Sequence, residues 1–185
     1  MTDHWKKEQF AMEYPLKYID FLVHFHGDRD YFECHEILEE FWKEIDSKNK
    51  HSIWVGFIQL AVANYHHRRG NFNGALRTLQ KSLHIFTLNE MKLFKLGIDP
   101  ILLFKQMNQQ LLNIEHQLDY QSMNLPIHSK ELVEKCMNRC HVLHLEWCKA
   151  SDLNNLEIVH RHIKRDRTLV INERNKAKRI KGSDY

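Results

Sequence analysis

The segment YFECHEILEEFW, residues 31–42, places one histidine and four acidic residues among large apolar side chains. His35 and Glu39 are four positions apart, so on an α-helix their side chains stack on one face. Imidazole and carboxylate groups both bind divalent metal ions, and such an ion acidifies a bound water for hydrolysis. The pair is therefore a candidate for metal or small-ligand chemistry.

The elements that must position this pair are predicted to be helices. The chain has only three prolines and six glycines, and its apolar residues recur at three- and four-residue spacing. The third helix is apolar nearly all round, which predicts a central position. The predicted fold is all-α, a compact bundle of about five helices with a docked helical C-terminal extension. The five predicted starts are Pro15, Asp30, Ser52, Asn71 and Asp99.

The pattern changes after the NLP segment at 124–126. We predict a bundle domain over residues 1–124 and a helical extension over 125–165 that packs on it. Within the extension, helices are expected over 129–149 and 153–165. Residues 166–185 are expected to form a basic tail.

A helical wheel places His35 and Glu39 at the margin of the apolar face of the second helix, with Glu36 on the outer side. A short linker folds the third helix back antiparallel. Glu39 then lies opposite Gln59, and His35 lies one turn from His66. The predicted ligand site consists of His35, Glu36, Glu39, Gln59 and His66, and the predicted metal ligands are His35, Glu39 and His66.

Two interpretations of this polar seam stay open at the level of sequence. In the first, the site binds a small ligand or a divalent metal. In the second, the same groups form a hydrogen-bonded network that fixes the register of the helices, because a buried carboxylate without partners is costly. Whether the protein is an enzyme is left undecided by the sequence.

The sequence HEILEEFW, followed by GFIQLAVANYHHRRGNFNGA, resembles the domain-of-unknown-function 309 family of small all-helical bacterial and archaeal proteins. The resemblance covers residues 17–85, and the C-terminal HRHIKRDRTLVINER is similar to that of the longer, Bacillus-type members. The resemblance implies a helical fold. Some members are labelled predicted metal-dependent hydrolases, so it also implies metal-dependent hydrolysis as the first enzymatic candidate.

The family's motifs fall on two sets of residues in this chain. Its His-Glu motif falls on His35, Glu36, Glu39 and Trp42. Position 39 is a glutamate where the metalloprotease motif H-E-x-x-H has its second histidine, which argues against a zincin-type peptidase. The second motif falls on Gln59, Tyr65, His66, Gly70, Asn71, Gly74 and Ala75.

Charge is distributed unevenly along the chain. The formal net charge of +3 divides into −3 for residues 1–159 and +6 for residues 160–185. Within the tail region, Arg165 and Arg167 are candidate anion-binding residues, which pair either with acidic residues of the bundle or with nucleic-acid phosphates. The alternative function is therefore a non-catalytic interaction module that binds a protein or RNA partner through its helical surface or basic tail. A DNA-binding motif is absent from the sequence, and a homo-oligomer is left open.

The sequence also limits compartment and chemistry. It has no apolar run of about 18 residues and no signal-peptide pattern at its N-terminus. Its four cysteines include no C-x-x-C pair, which excludes a zinc ribbon and a thioredoxin-like motif. We therefore expect a soluble cytoplasmic protein without a membrane span. Phosphate-loop, dinucleotide-binding and serine-hydrolase motifs are also absent.

Overall fold

The structure, a computed structural model, describes residues 14–161. This part of the chain forms eight helices and no strand beyond one isolated bridge between Ile98 and Ile127. The predicted all-α fold is confirmed. The helices are α1 (Leu16–His26), α2 (Tyr31–Ile45), α3 (Ile53–Arg68), α4 (Phe72–Leu88), α5 (Glu90–Lys95), α6 (Pro100–Glu115), α7 (Lys130–Val142) and α8 (Leu156–Val159).

Three of the predicted helix starts are fixed by side-chain caps. The carboxylates of Asp30 and Asp99 and the amide oxygen of Asn71 each accept a hydrogen bond from the backbone N–H three residues later, at 3.0–3.1 Å. Each cap satisfies a donor that the first turn of a helix leaves unpaired. Ser52 precedes α3 as predicted, but its side chain makes no capping hydrogen bond.

Helix α3 lies at the centre of the bundle, as its apolar sequence predicts. Phe57 is fully buried, and its ring lies 5.4 Å from Phe21 of α1 and 4.8 Å from Phe86 of α4, centroid to centroid. Gly56 permits the close approach of α4, because a Cβ atom there would lie 2.6 Å from the Phe86 ring. The α2 helix packs on the other side of α3 and carries the candidate ligands.

The predicted helix over 129–149 is too long at its C-terminal end. Helix α7 ends at Val142, and His144 adopts a left-handed backbone with φ 54°. The backbone N–H of Leu145 then donates to the carbonyl of Cys140 at 2.9 Å, which is the closing bond of a Schellman-type turn. A non-glycine residue in this conformation is uncommon, so the sequence carries no stop signal there.

Two other differences concern short helices. Helix α5 is a six-residue segment that the periodicity did not predict. Of the helix expected over 153–165, the described residues 153–161 contain the single turn α8, Leu156–Val159. Residues 162–165 of that prediction, together with the tail over 166–185, lie outside the described residues.

Two buried arginines of the bundle hold the segments that follow α6. The Arg29 guanidinium is 1% exposed and donates four hydrogen bonds. Arg68 donates to the carbonyl of Arg29 at 2.7 Å and to the Ser151 hydroxyl at 3.1 Å. The Arg29 acceptors are the carbonyls of Phe25 (2.9 Å), Met123 (2.7 Å) and Lys149 (2.7 Å) and the side-chain oxygen of Asn124 (2.6 Å). The domain boundary at residue 124 stays a prediction.

Candidate metal and ligand site

Three potential metal ligands converge on the exposed margin of α2. The Nδ1 atom of His35 lies 3.1 Å from a carboxylate oxygen of Glu36, and its Nε2 atom lies 3.9 Å from one of Glu39. One ligand atom from each residue can be chosen so that all lie within 4.8 Å of one another. The three side chains are 28–34% exposed. We refer to His35, Glu36 and Glu39 as the metal cluster.

The metal cluster differs at two positions from the predicted metal ligands, which are His35, Glu39 and His66. Glu36 joins it although the wheel places this residue on the outer side, because the long glutamate side chain reaches around the helix to the imidazole of its neighbour. His66 does not join it: among the described residues, only His35, Glu36 and Glu39 form a group of three potential ligands. The Nδ1 atom of His66 instead accepts a hydrogen bond from the Asn71 amide at 3.0 Å.

Two cavities between α2 and α3 flank His35. One has a volume of about 360 Å³, and His35, Glu39 and Gln59 line it together with the ammonium-bearing Lys50 and Lys81. The other has a volume of about 270 Å³. His35 and His66 both line this second cavity. The antiparallel register thus brings Glu39 near Gln59 and His35 near His66, while ligand binding at these residues stays a prediction.

Glu39 and Glu40 have different electrostatic environments although they are neighbours. Glu39 forms an ion pair with Lys43 one turn later, at 3.1 Å. Glu40 points away from the cluster and accepts a hydrogen bond from Lys17 of α1, which lowers the pKa of the Glu40 carboxyl. Glu40 is therefore committed to the contact between α1 and α2. The two candidate anion-binding residues, Arg165 and Arg167, lie outside the described residues.

The second motif builds the turn between α3 and α4. Gly70 has φ +69°, a left-handed conformation that glycine adopts without steric cost and that ends α3. Asn71 caps α4, and a Cβ at Gly74 would lie 2.6 Å from the Asn71 side chain. Ala75 is fully buried beneath this turn. These motif residues therefore have structural roles.

Trp42 and Tyr65 each line one of the two cavities and each make a local hydrogen bond. The Trp42 indole N–H donates to the carbonyl of Asn49 at 3.1 Å, which closes the linker between α2 and α3. The Tyr65 hydroxyl accepts a hydrogen bond from Arg69 at 2.7 Å. Sequence reasoning did not select Arg69, since a basic residue at the C-terminus of a helix is ordinary. The signal available was its place in the motif segment YHHRRGN.

Comparison with known proteins identifies the family. A family model described as domain of unknown function (DUF309) matches residues 18–78. A Bacillus subtilis (strain 168) protein, named uncharacterized protein YpuF, is 47% identical over 163 residues, which cover 88% of this chain and 94% of the relative. The chain belongs to the DUF309 family. The matched DUF309 segment runs from α1 into α4 and contains the metal cluster.

Two further comparisons complete this description. No solved structure matches this DUF309 protein at a significant level. Among the helices of residues 14–161, none combines the length and the apolar character that a membrane crossing requires.

Proposed function

We propose that this DUF309 protein binds a divalent metal ion through His35, Glu36 and Glu39. The observation that carries the proposal is the convergence of three ligand atoms within 4.8 Å of one another. One imidazole and two carboxylates suit zinc, manganese or iron(II), which accept mixed nitrogen and oxygen ligands. Because these side chains are about one-third exposed, small rotations bring them to ligand distance without a change in packing.

The arrangement also favours a catalytic rather than a closed structural site. All three ligands come from a single helix, so they occupy one side of the ion, and the adjoining cavities give a substrate access. A divalent ion there supplies Lewis-acid polarisation and an acidified water. Metal-dependent hydrolysis is therefore the enzymatic activity that we propose first.

The metal proposal predicts the elemental composition of the untagged protein. We expect near-stoichiometric zinc, manganese or iron by mass spectrometry, and a lower melting temperature after chelation, because metal bound only to the folded state stabilises it. His35→Ala should weaken binding by more than the roughly 10–100-fold that loss of an outer-shell partner costs. Elemental analysis and thermal melts with and without chelator measure both effects.

The matched control is Glu44→Gln, which changes an exposed carboxylate on the same helix outside the metal cluster. This variant should bind metal as the parent does. Absence of metal, together with melts that chelator does not alter, would leave the cluster as a network that fixes the register of the helices.

We place the protein in the cytoplasm as part of this proposal. Cys34, Cys136 and Cys140 are buried free thiols. Burial raises the pKa of Cys136 to about 12 and that of Cys140 to about 11. Burial makes these thiols unreactive, and cysteines that stay free of disulfides are usual in a reducing compartment.

A second candidate function is self-association, a form of the interaction-module alternative. Five of the thirteen exposed large apolar side chains of residues 14–161 fall within residues 88–102, from the end of α4 into α6. They include Met91, which is 69% exposed, and Phe94, which is 54% exposed. Clustered exposed apolar surface is typical of protein contact sites.

This candidate predicts that Met91→Glu abolishes a concentration-dependent dimer, because it would place a charge in the apolar contact. Sedimentation velocity over a range of protein concentrations measures the association. Met137→Glu on α7, where the side chain is 51% exposed, is the control and should leave association unchanged. A parent protein that is monomeric at every concentration would exclude the candidate.

A further inference from the structure

The Arg69 side chain is positioned by two contacts with Tyr65. Its Nη1 donates to the Tyr65 hydroxyl at 2.7 Å, and its guanidinium carbon lies 5.1 Å from the centroid of the Tyr65 ring. Among residues 14–161, its buried Nε–H finds no hydrogen-bond partner. The same residues provide no carboxylate at ion-pair distance. Arg69 therefore keeps hydrogen-bonding capacity and positive charge that residues 14–161 do not use.

Among residues 14–161, Arg68 also has a buried Nε–H without a partner, but its other donors contact three oxygens and it lines neither cavity beside His35. Arg29 and Arg68 donate to main-chain carbonyls. Arg139 and Arg161 form ion pairs with aspartates. Desolvation of a cation is costly unless a partner compensates for it, so an external anion would stabilise the half-buried Arg69, which lines a cavity beside His35.

Arg69 lines the cavity of about 270 Å³ that His35 and His66 also line. The remaining walls are apolar or aromatic and come from Tyr31, Phe32, Tyr65 and Val62. His35 belongs both to this cavity and to the metal cluster. The cavity is thus lined by one cationic side chain, by one histidine of the metal cluster and by walls that favour an apolar body.

We propose that this cavity binds the phosphate group of an organic phosphate monoester with an apolar or aromatic body, and that Arg69 contacts the phosphate oxygens. A guanidinium presents a planar fork of donors that matches phosphate oxygens in pairs, and the contact with Tyr65 reduces the entropy lost when the fork binds. The aromatic walls then pack on the organic part of the ligand. The assignment of the phosphate as the reacting end of the ligand rests on the proposed metal site. Anion binding at Arg69 does not require metal.

Isothermal titration calorimetry with phenylphosphonate tests the proposal, because this analogue carries the apolar body and the charged oxygens but has no ester bond to hydrolyse. The full-length protein should bind it saturably in the presence of chelator. Arg69→Gln should weaken binding at least about tenfold, the loss expected when a hydrogen bond to a charged group is removed. Arg69→Lys, which keeps the charge but not the fork, should retain part of the affinity.

Three comparisons make the result decisive. Arg77→Gln, an exposed arginine of α4, should bind like the parent, and benzoate and phenol should bind more weakly than phenylphosphonate. Binding that Arg69→Gln leaves unchanged, or stronger binding of benzoate, would overturn the phosphate assignment. If phosphonate binding depends on Arg69 but the protein never takes up metal, the phosphate site is supported and the metal site is excluded. If the protein binds metal but phosphonate binding does not depend on Arg69, the metal site is supported and the phosphate site is excluded.

Discussion

Arg29→Met is expected to lower the free energy of unfolding by about 3–5 kcal/mol, because each buried acceptor left without a partner costs about 1–3 kcal/mol and several are left. The Arg29 side chain is fully buried and donates to four oxygens that lie in three separate segments of the chain. Methionine has a similar length but no donor, so it leaves these acceptors unpaired. Three of them are main-chain carbonyls, which no second substitution can remove.

Urea denaturation followed by circular dichroism measures this loss. Arg77→Met is the matched control, because Arg77 is exposed on α4 and a surface change of this kind costs within about 0.5 kcal/mol. Equal unfolding midpoints for the two variants would show that the Arg29 contacts contribute little to stability.

The stability of the protein should fall as the pH is lowered below about 6.5, and His26 should cause a defined part of that fall. Burial lowers the pKa of His26 to about 3, and the neighbouring positive charge of Arg29 acts in the same direction. The ring is 1% exposed and stacks on Trp147 at a centroid distance of 4.4 Å. The folded state therefore holds this imidazole neutral where the unfolded chain takes up a proton.

The sign follows from linkage. The contribution of His26 is fully present above pH 6.5, and it declines as the pH falls towards 3, since only the unfolded state gains the proton. The expected loss is about 2 kcal/mol between pH 6.5 and pH 5, at about 1.4 kcal/mol for each pH unit. His24 titrates in a different window: burial lowers its pKa, but the hydrogen bond and charge of Asp28 outweigh burial and raise it.

Urea denaturation at a series of pH values separates His26 from the other groups. His26→Phe preserves an aromatic ring for the contact with Trp147 but cannot titrate. Between pH 6.5 and pH 5, the parent should lose about 2 kcal/mol of unfolding free energy relative to His26→Phe. A difference that does not change with pH would contradict a neutral buried imidazole.

Much of the fold could be predicted because its signals are local. Asp30 and Asn71 cap helices through hydrogen bonds to residues three positions away, and such pairs are visible in sequence. The end of α7 could not be predicted, because the left-handed turn at His144 is stabilised by its tertiary setting and not by a glycine. Helix α5 is too short for its periodicity to stand out.

The grouping of His35 with Glu39 could be predicted from sequence, whereas the contact between His35 and Glu36 could not. The four-residue spacing of His35 and Glu39 is a property of any helix, so it could be derived from sequence. A helical wheel gives the direction of Cα–Cβ bonds but not the reach of a side chain, so it could not show that the Glu36 carboxylate lies 3.1 Å from the His35 ring. The charge of Arg69 acquires its significance only from the absence of a counter-ion among the described residues, which depends on contacts between distant parts of the chain.

The contacts of Arg29 also constrain when the chain can finish folding during its synthesis. Its acceptors on Met123 and Lys149 follow it by 94 and 120 residues. At translation rates of about 5–20 residues per second, these partners emerge roughly 5–24 s after the arginine itself. A nascent chain that has completed α1–α4 therefore carries a cation at its centre without its later acceptors. Stable closure around that cation must await the arrival of the C-terminal segments from the ribosome.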